Sequence, residues 1–350
     1  MADIGEFVTE IDEDSFGRRT SRTNTRRRTK DRPDFSEAII GMVVGVDRGR
    51  ITCVIPDEAS HAEQTTVVAV KARELGRGGV VVGDKVRLVG DLSGKVDTLA
   101  RLVELIERRT TLTRTADDAD PVERVIVANA DQMAIVCATT NPEPRVGLID
   151  RALVAAYDAG VSPILIITKS DLKSADELLT TYSGMDLQHI VVDQKSQKGI
   201  EDVRSALLGR TTVFIGHSGV GKSTLVNSLV PDAMRTTGDV NDVTGRGKHT
   251  STSAQALPIP NDTGWVIDTP GLRSFGLAHV DPDHIIESFP ELVDGAHECP
   301  RACTHVNAAG QAPPDCALDE WVAGGHAGVG GVNRLTSLRR LLLALQTPSS

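Results

Sequence analysis

Long apolar runs are what this sequence most clearly lacks. No stretch approaches the ~18 uninterrupted apolar residues of a membrane-crossing helix, so no membrane partner is expected. The opening residues, MADIGEFVTEIDEDSFGRR, lack the apolar segment of a secretory signal, and the expected compartment is the cytoplasm. Cysteine is sparse and unevenly placed: of five, Cys299, Cys303 and Cys316 share one short stretch, while Cys53 and Cys137 sit alone in valine- and isoleucine-rich segments. An odd, clustered set argues against a secreted disulfide framework, and the two isolated thiols read as small buried hydrophobes. Aromatics make up only 3% of residues, and the N-terminal β module delimited below has none of the rings on which nucleic-acid bases stack.

The remaining composition is ordinary for a globular chain, with 40% hydrophobic and 25% charged residues. At 350 residues there is room for two or three domains. The net charge of −10 hides an asymmetry in the first forty residues. Asp3, Glu6, Glu10, Asp12, Glu13 and Asp14 precede a cationic run from Arg18 to Arg32. With so little to bury, this tail is expected to be disordered when free. A Lys/Arg block of this kind neutralises phosphates and orders on RNA; a solvated tail is the plain alternative.

Past Pro33, five β-like segments (AIIGMVVGVD, RITCVIP, TTVVAVK, GVVVGDKVRLVG and TLARLVELIERRT) are separated by turn signals at Asp47-Arg48-Gly49, Gly78-Gly79 and Ser93-Gly94. They predict a small barrel, an oligonucleotide-binding (OB) fold or an SH3-like one, whose RNA contacts rest on Arg, Lys and backbone groups. From about residue 120 strands alternate with helices as in an α/β sheet, and the chain closes on an amphipathic helix, LTSLRRLLLALQ.

Residues 216–224 read GHSGVGKST, satisfying G-x-x-x-x-G-K-[S/T] at Gly216, Gly221, Lys222 and Ser223. In such a loop the N–H groups of Gly216, His217, Ser218, Gly219, Val220 and Gly221 close around phosphate oxygens. Lys222 reaches the β- and γ-phosphates, Ser223 binds Mg²⁺ and Thr224 continues the turn. The loop follows the strand TVFI and opens the helix KSTLVNSLV, whose dipole points at the anion. Downstream, WVIDTPG puts Asp268 where a carboxylate holds the metal through water, and Gly271 offers its N–H to the γ-phosphate. The glycine-rich loop between them carries Thr250 and Thr252, either of which adds a second hydroxyl to Mg²⁺. A glutamine that would orient the attacking water is missing, its place taken by Leu272. His249 is the candidate to orient that water or accept its proton, and slow intrinsic turnover is expected.

The base is read by ITKSD (167–171). Asp171 accepts from guanine N1–H and the exocyclic amine, a pairing adenine cannot reproduce, and the Lys169 stem packs over the ring. Thr168 replaces the usual leading asparagine, with a hydroxyl that still bonds locally; Ser170 completes the loop. A second base-contacting loop falls near Asp193 and Gln194, ahead of Gly199, and the pattern there assigns no residue. The base motif precedes the phosphate loop, the reverse of the ordinary order, which a single sheet accepts because domain termini often lie close together. Asp268 then leads straight into the C-terminal segment, so nucleotide state is expected to be transmitted to residues after about 276.

Cys299, Cys303, His305 and Cys316 form C-x3-C-x-H-x10-C. Three thiolates and one imidazole complete a tetrahedral Zn²⁺ shell with no vacancy for water, so the site is expected to be structural. The expected architecture is α/β and β in several domains. It comprises a disordered acidic/basic tail (1–36), an OB-like β-barrel (37–113), a circularly permuted P-loop GTPase domain (114–277) and a C-terminal helical zinc-binding domain (278–350).

Together the OB-like barrel, the permuted motifs GHSGVGKST and DTPG, and the Cys/His module resemble the ribosome small-subunit-dependent GTPase family (RsgA), over about residues 38–320. The resemblance implies a GTPase that binds the 30S subunit late in its maturation, is stimulated by it, and touches rRNA through barrel and zinc module; a monomer is expected. Neither the acidic start nor the final helix follows from it. Two other readings stay open: a nucleotide-gated RNA-binding module whose hydrolysis is incidental, and an ATP-dependent P-loop enzyme, which Lys169 and Asp171 disfavour.

Overall fold

Alternating burial builds the first module. In β2 (Arg50–Pro56) every second residue, Ile51, Cys53 and Ile55, points inward, against Val43 of β1 (Ile39–Asp47) and Val67 and Ala69 of β3 (Gln64–Lys71). Val86 and Leu88 of β4 (Lys85–Gly90) and Leu102 of β5 (Ala100–Leu105) complete this core. Each of the valine, isoleucine and leucine side chains among them contributes on the order of 1.5–3 kcal/mol by leaving water. Arg48 (φ 44°) and Gly49 (φ 86°) make the two-residue turn between β1 and β2, both left-handed as the strand twist requires. β1 pairs with β2 on one side and β4 on the other, changing partners around a bulge between Val43 and Gly45. The order β1-β2-β3-β5-β4 therefore closes on β1, with β3 and β5 parallel. This is an OB-like barrel, which settles the choice between the two expected barrels.

The computed structural model describes residue 35 and residues 38–56, 64–75, 79–115, 123–231, 254–260, 264–269, 277 and 280–346. The acidic/basic tail, His249, Thr250, Thr252, Gly271 and Leu272 lie outside the described residues. All elements named here belong to one compact unit, Glu37–Ser350.

A hairpin of β6 (Thr111–Thr115) and β7 (Glu123–Ala128) follows the barrel, running across residues 113 and 114. Next comes a six-stranded arrangement: β8 (Gln132–Ala138), β9 (Ser162–Thr168), β10 (Gln188–Val191), β11 (Arg210–Ile215), β12 (Gln255–Pro258) and β13 (Gly264–Asp268). Its order is β10-β9-β8-β11-β13-β12, parallel except for β12, and Gly45 of β1 pairs with Gln255 to join it to the barrel. β8 is buried along its whole length, as a central strand covered on both faces must be. Met133, Ile135 and Cys137 face α1 (Val146–Asp158) and α2 (Asp176–Tyr182), while Ala134, Val136 and Ala138 face α3 (Ile200–Leu207) and α4 (Lys222–Leu229).

The C-terminal helices are α5 (Pro282–Glu287), α6 (Pro290–His297), α7 (Leu318–Ala323) and α8 (Gly331–Gln346). Ile285, Phe289, Leu292, Leu318, Leu338 and Leu341 share one hydrophobic cluster with Ile149 and Leu153 of α1. Arg340 of α8 pairs with buried Asp150 of α1 at 3.2 Å, and Gly184 approaches Asn333 so closely that an added Cβ would stand 2.6 Å from its carbonyl oxygen. The final helix is thus packed on the α/β sheet domain. Among the described residues no helix is long and apolar enough to cross a membrane.

Candidate nucleotide site and metal centre

Because β9, β8, β11 and β13 are neighbouring parallel strands, their C-terminal ends lie on one sheet edge. The base motif leaves β9 there, the phosphate loop leaves β11, and Asp268 ends β13. Open α/β sheets bind ligands along this edge.

Glycine is required in the loop for two reasons. A Cβ on Gly216 would stand 2.4 Å from the Val136 carbonyl oxygen, so the chain passes β8 too closely for any side chain. Gly219 (φ 83°) and Gly221 (φ 91°) are left-handed. Val220 is buried and anchors the loop in the core between β11 and α4. His217 Nδ1 lies 2.8 Å from the Ser218 carbonyl, and Ser218 itself is exposed. α4 starts at Lys222 behind Gly221, with no side-chain cap, which leaves its first N–H groups for an anion. Ser223 and Thr224 are exposed on its first turn. The Lys222 ammonium forms an ion pair with the Asp268 carboxylate, so loop lysine and strand aspartate converge on one point.

At the base motif, Lys169 adopts a left-handed backbone (φ 59°), rare for a residue with a side chain. Thr139 Oγ1 donates to the Lys169 carbonyl at 2.7 Å and holds that conformation, and the Lys169 ammonium donates to the Asn141 carbonyl. Ser170 is half-buried beside it. The Asp171 carboxylate meets the Lys195 ammonium at 2.6 Å, which holds that ammonium above its ordinary pKa. Thr168 is fully buried, its hydroxyl between the Cys137 carbonyl (3.1 Å) and the Val220 carbonyl (2.5 Å). The expected local bond therefore reaches the phosphate loop itself.

Gln194 and Lys195 join the site without a motif to announce them. Asp193 accepts from the Lys195 and Ser196 backbone N–H groups (2.9 and 3.3 Å) and the Ser196 hydroxyl, and the serine bond foremost holds its carboxyl below the usual range. The turn so fixed sends Lys195 to Asp171 and Gln194 Nε2 to the Gly221 carbonyl, at 2.8 Å. The sequence placed a loop near Asp193 and Gln194 but assigned no residue in it; it ends at Gly199, left-handed (φ 82°) where α3 begins.

Cys299, Cys303, His305 and Cys316 bring one ligand atom each within 4.8 Å of one another. His305 Nδ1 lies 3.5 Å from the Cys299 sulfur and 3.8 Å from that of Cys316. A tetrahedral zinc with ordinary Zn–S and Zn–N bonds places such pairs about 3.6 Å apart, so the donor set fits that ion. Burial lowers the His305 pKa and keeps the imidazole a neutral ligand; burial raises the Cys299 thiol to about 11, a proton a metal would displace. Arg339 of α8 donates to the His305 carbonyl at 3.0 Å and to the Cys316 sulfur at 3.7 Å, while Asp319 grips its guanidinium at 2.6 and 2.8 Å.

Sheet order, chain order and the loop define a circularly permuted P-loop GTPase with an OB-like barrel before it and a Cys/His module after it. The RsgA GTPase family profile matches residues 105–278. Small ribosomal subunit biogenesis GTPase RsgA 1 of Vibrio vulnificus is 33% identical over 322 residues, 88% of this chain and 87% of that protein. Small ribosomal subunit biogenesis GTPase RsgA of Pseudomonas aeruginosa is 37% identical over 251 residues, 70% of each. The chain belongs to the RsgA GTPase family. Its fold is similar to that of YjeQ from Thermotoga maritima, with a TM-score of 0.61 at 24% identity over 89% of this chain and 99% of that one. It is also similar to YloQ, described as a circularly permuted GTPase, with a TM-score of 0.60 at 22% identity over 91% and 99%.

Proposed function

We propose that this chain hydrolyses GTP to GDP and phosphate, that it does so on the small ribosomal subunit late in that subunit's maturation, and that rRNA is part of its docking surface. The observation that carries the reading is the convergence of base motif, phosphate loop and Asp268 on one sheet edge, with Lys222 and Asp268 in contact. Relatives named for small-subunit biogenesis supply the partner.

In this reading Asp171 selects guanine and Lys169 packs over it, with Thr168 and Ser170 shaping the loop. The N–H groups from Gly216 to Gly221 hold the phosphates, joined by Lys222 and by Thr224 on the first helical turn. Ser223, Asp268 (through water) and either Thr250 or Thr252 would hold Mg²⁺, which supplies charge neutralisation at the β- and γ-oxygens. Gly271 senses the γ-phosphate, and His249 orients water where Leu272 cannot. Cys299, Cys303, His305 and Cys316 would hold one structural Zn²⁺. The protein works as a cytoplasmic monomer, with three modules at about 37–113, 114–277 and 278–350, the first two joined through β6, which crosses their boundary.

GTP turnover measured with and without 30S subunits, with ATP as control, tests this. Strong stimulation specific to GTP is the expected result. Tight subunit binding without stimulation would select a nucleotide-gated RNA-binding factor, and ATP preference would refute both. His249→Ala is expected to keep nucleotide affinity and lose most of the stimulated turnover; full turnover would remove His249 from the mechanism.

A further inference from the structure

Two side chains from different loops reach consecutive carbonyls of the phosphate loop. Thr168, at the end of β9, stands 3.1 Å from the Cys137 carbonyl and donates to the nearer Val220 carbonyl at 2.5 Å. Gln194, in the turn before α3, donates at 2.8 Å to the Gly221 carbonyl, which also accepts from the Leu225 N–H of α4 at 2.9 Å. A trans peptide is planar, with its C=O and the following N–H pointing opposite ways. Holding the Val220 carbonyl therefore aims the Gly221 N–H, and holding the Gly221 carbonyl aims the Lys222 N–H, away from the tethers. These two N–H groups stand at the uncapped mouth of α4.

We infer that Gln194 is a positioning residue for the nucleotide: with Thr168 it presets the Gly221 and Lys222 N–H donors before a phosphate arrives. This rests on the reading of 216–224 as the GTP phosphate site. A hydroxyl has one proton to donate, so the threonine serves one loop carbonyl, and the Gln194 amide serves the next. Gln194 is itself held at both ends. Its carbonyl accepts from Gln197 Nε2 at 2.7 Å, and its amide packs so closely on Gly221 that an added Cβ there would stand 2.8 Å from Gln194 Oε1. The arrangement links the base-reading side of the site to the phosphate-binding side.

The test uses the full-length protein, a fluorescent GDP analogue, and competition by GDP, IDP and ADP. Gln194→Ala and Gln194→Glu, the latter keeping the volume and losing the donor, are expected to bind GDP roughly three- to tenfold more weakly, through faster dissociation. IDP lacks the exocyclic amine read by Asp171, so the GDP-to-IDP ratio should stay at its parental value while both affinities fall. The melting temperature without nucleotide should not move. Unchanged dissociation in both variants would overturn the inference. So would a changed GDP-to-IDP ratio, which would place Gln194 on the base, or a loss that tracks the melting temperature in both variants, which would make the residue merely structural. A parental protein that binds ADP as well as GDP would instead overturn the reading of the site, and this inference with it.

Discussion

Replacing Arg340 with methionine removes the partner of a carboxylate that water scarcely reaches. Asp150 is 3% exposed, and its oxygens meet the Tyr182 hydroxyl at 3.0 Å and the Arg340 guanidinium at 3.2 Å. Arg340 also donates to the Thr181 carbonyl at 2.8 Å and stands 4.5 Å above the Tyr182 ring. Breaking a buried pair by removing one partner costs about 3–5 kcal/mol. The Arg340 side chain is 25% exposed, so water enters the variant. Screening and the retained apolar stem reduce the expected cost to about 2–3 kcal/mol. At roughly 2 °C per kcal/mol for a chain this large, the melting temperature should fall by about 4–6 °C. Because α1 and α8 share one hydrophobic cluster, the loss should appear in the transition that unfolds both.

The pH dependence supplies a second check. Burial already holds Asp150 above its ordinary pKa, with Arg340 and Tyr182 pulling it back. Without Arg340 the folded-state value rises further, while the unfolded value stays near ~3.9. Between those values the variant's native state binds a proton that its unfolded chain does not, so its stability falls as pH rises and is recovered as pH falls. The gap between parent and variant should therefore narrow on acidification. Adding Asp150→Asn to Arg340→Met should recover part of the loss at neutral pH. Calorimetry across several pH values reads all three outcomes. A drop below about 1 °C at neutral pH, or a gap that widens in acid, would refute the reasoning.

Arg339→Ala should weaken zinc binding about 10–100-fold in competition with a chromophoric chelator, because the orienting bonds to His305 and Cys316 are lost; parental affinity would show that Arg339 only packs there. Cys303→Ser, which removes a ligand, should lower the zinc content of purified protein well below one ion per chain, and full occupancy would disprove the four-residue site. Asp171→Asn should exchange guanine selectivity for xanthine, since an amide donor faces the carbonyl that xanthine carries in place of the amine. Nucleotide competition reads this directly, and undiminished GTP preference would take Asp171 out of base recognition.

Much of the site was legible because its chemistry is local. The phosphate loop occupies nine contiguous residues, and the Cys/His set spans eighteen, so spacing alone announces them. Strand alternation likewise marks β1 to β5. The β6–β7 hairpin escaped notice because its short strands flank the polar, aspartate-rich stretch 116–122. The barrel itself was legible; hidden was its manner of closing, in which β1 pairs with β4 over Ile39–Met42 and with β2 over Met42–Asp47, with a bulge between Val43 and Gly45.

By itself the sequence determined which groups are on offer: a glycine-rich loop ahead of a helix, a Thr-Lys-Ser-Asp turn after a strand, and three cysteines and a histidine at metal-ligand spacing. Only the tertiary structure decided how they are held. Thr168 finds Val220 across 52 residues, Gln194 finds Gly221 across 27, and Arg340 finds Asp150 across 190. Such partners share no period and no fixed spacing, because a hydrogen bond needs only that folding bring donor and acceptor within reach. The same physics makes the final helix, a plain amphipathic stretch in one dimension, the element that holds the Cys/His module through Arg339 and the GTPase domain through Arg340.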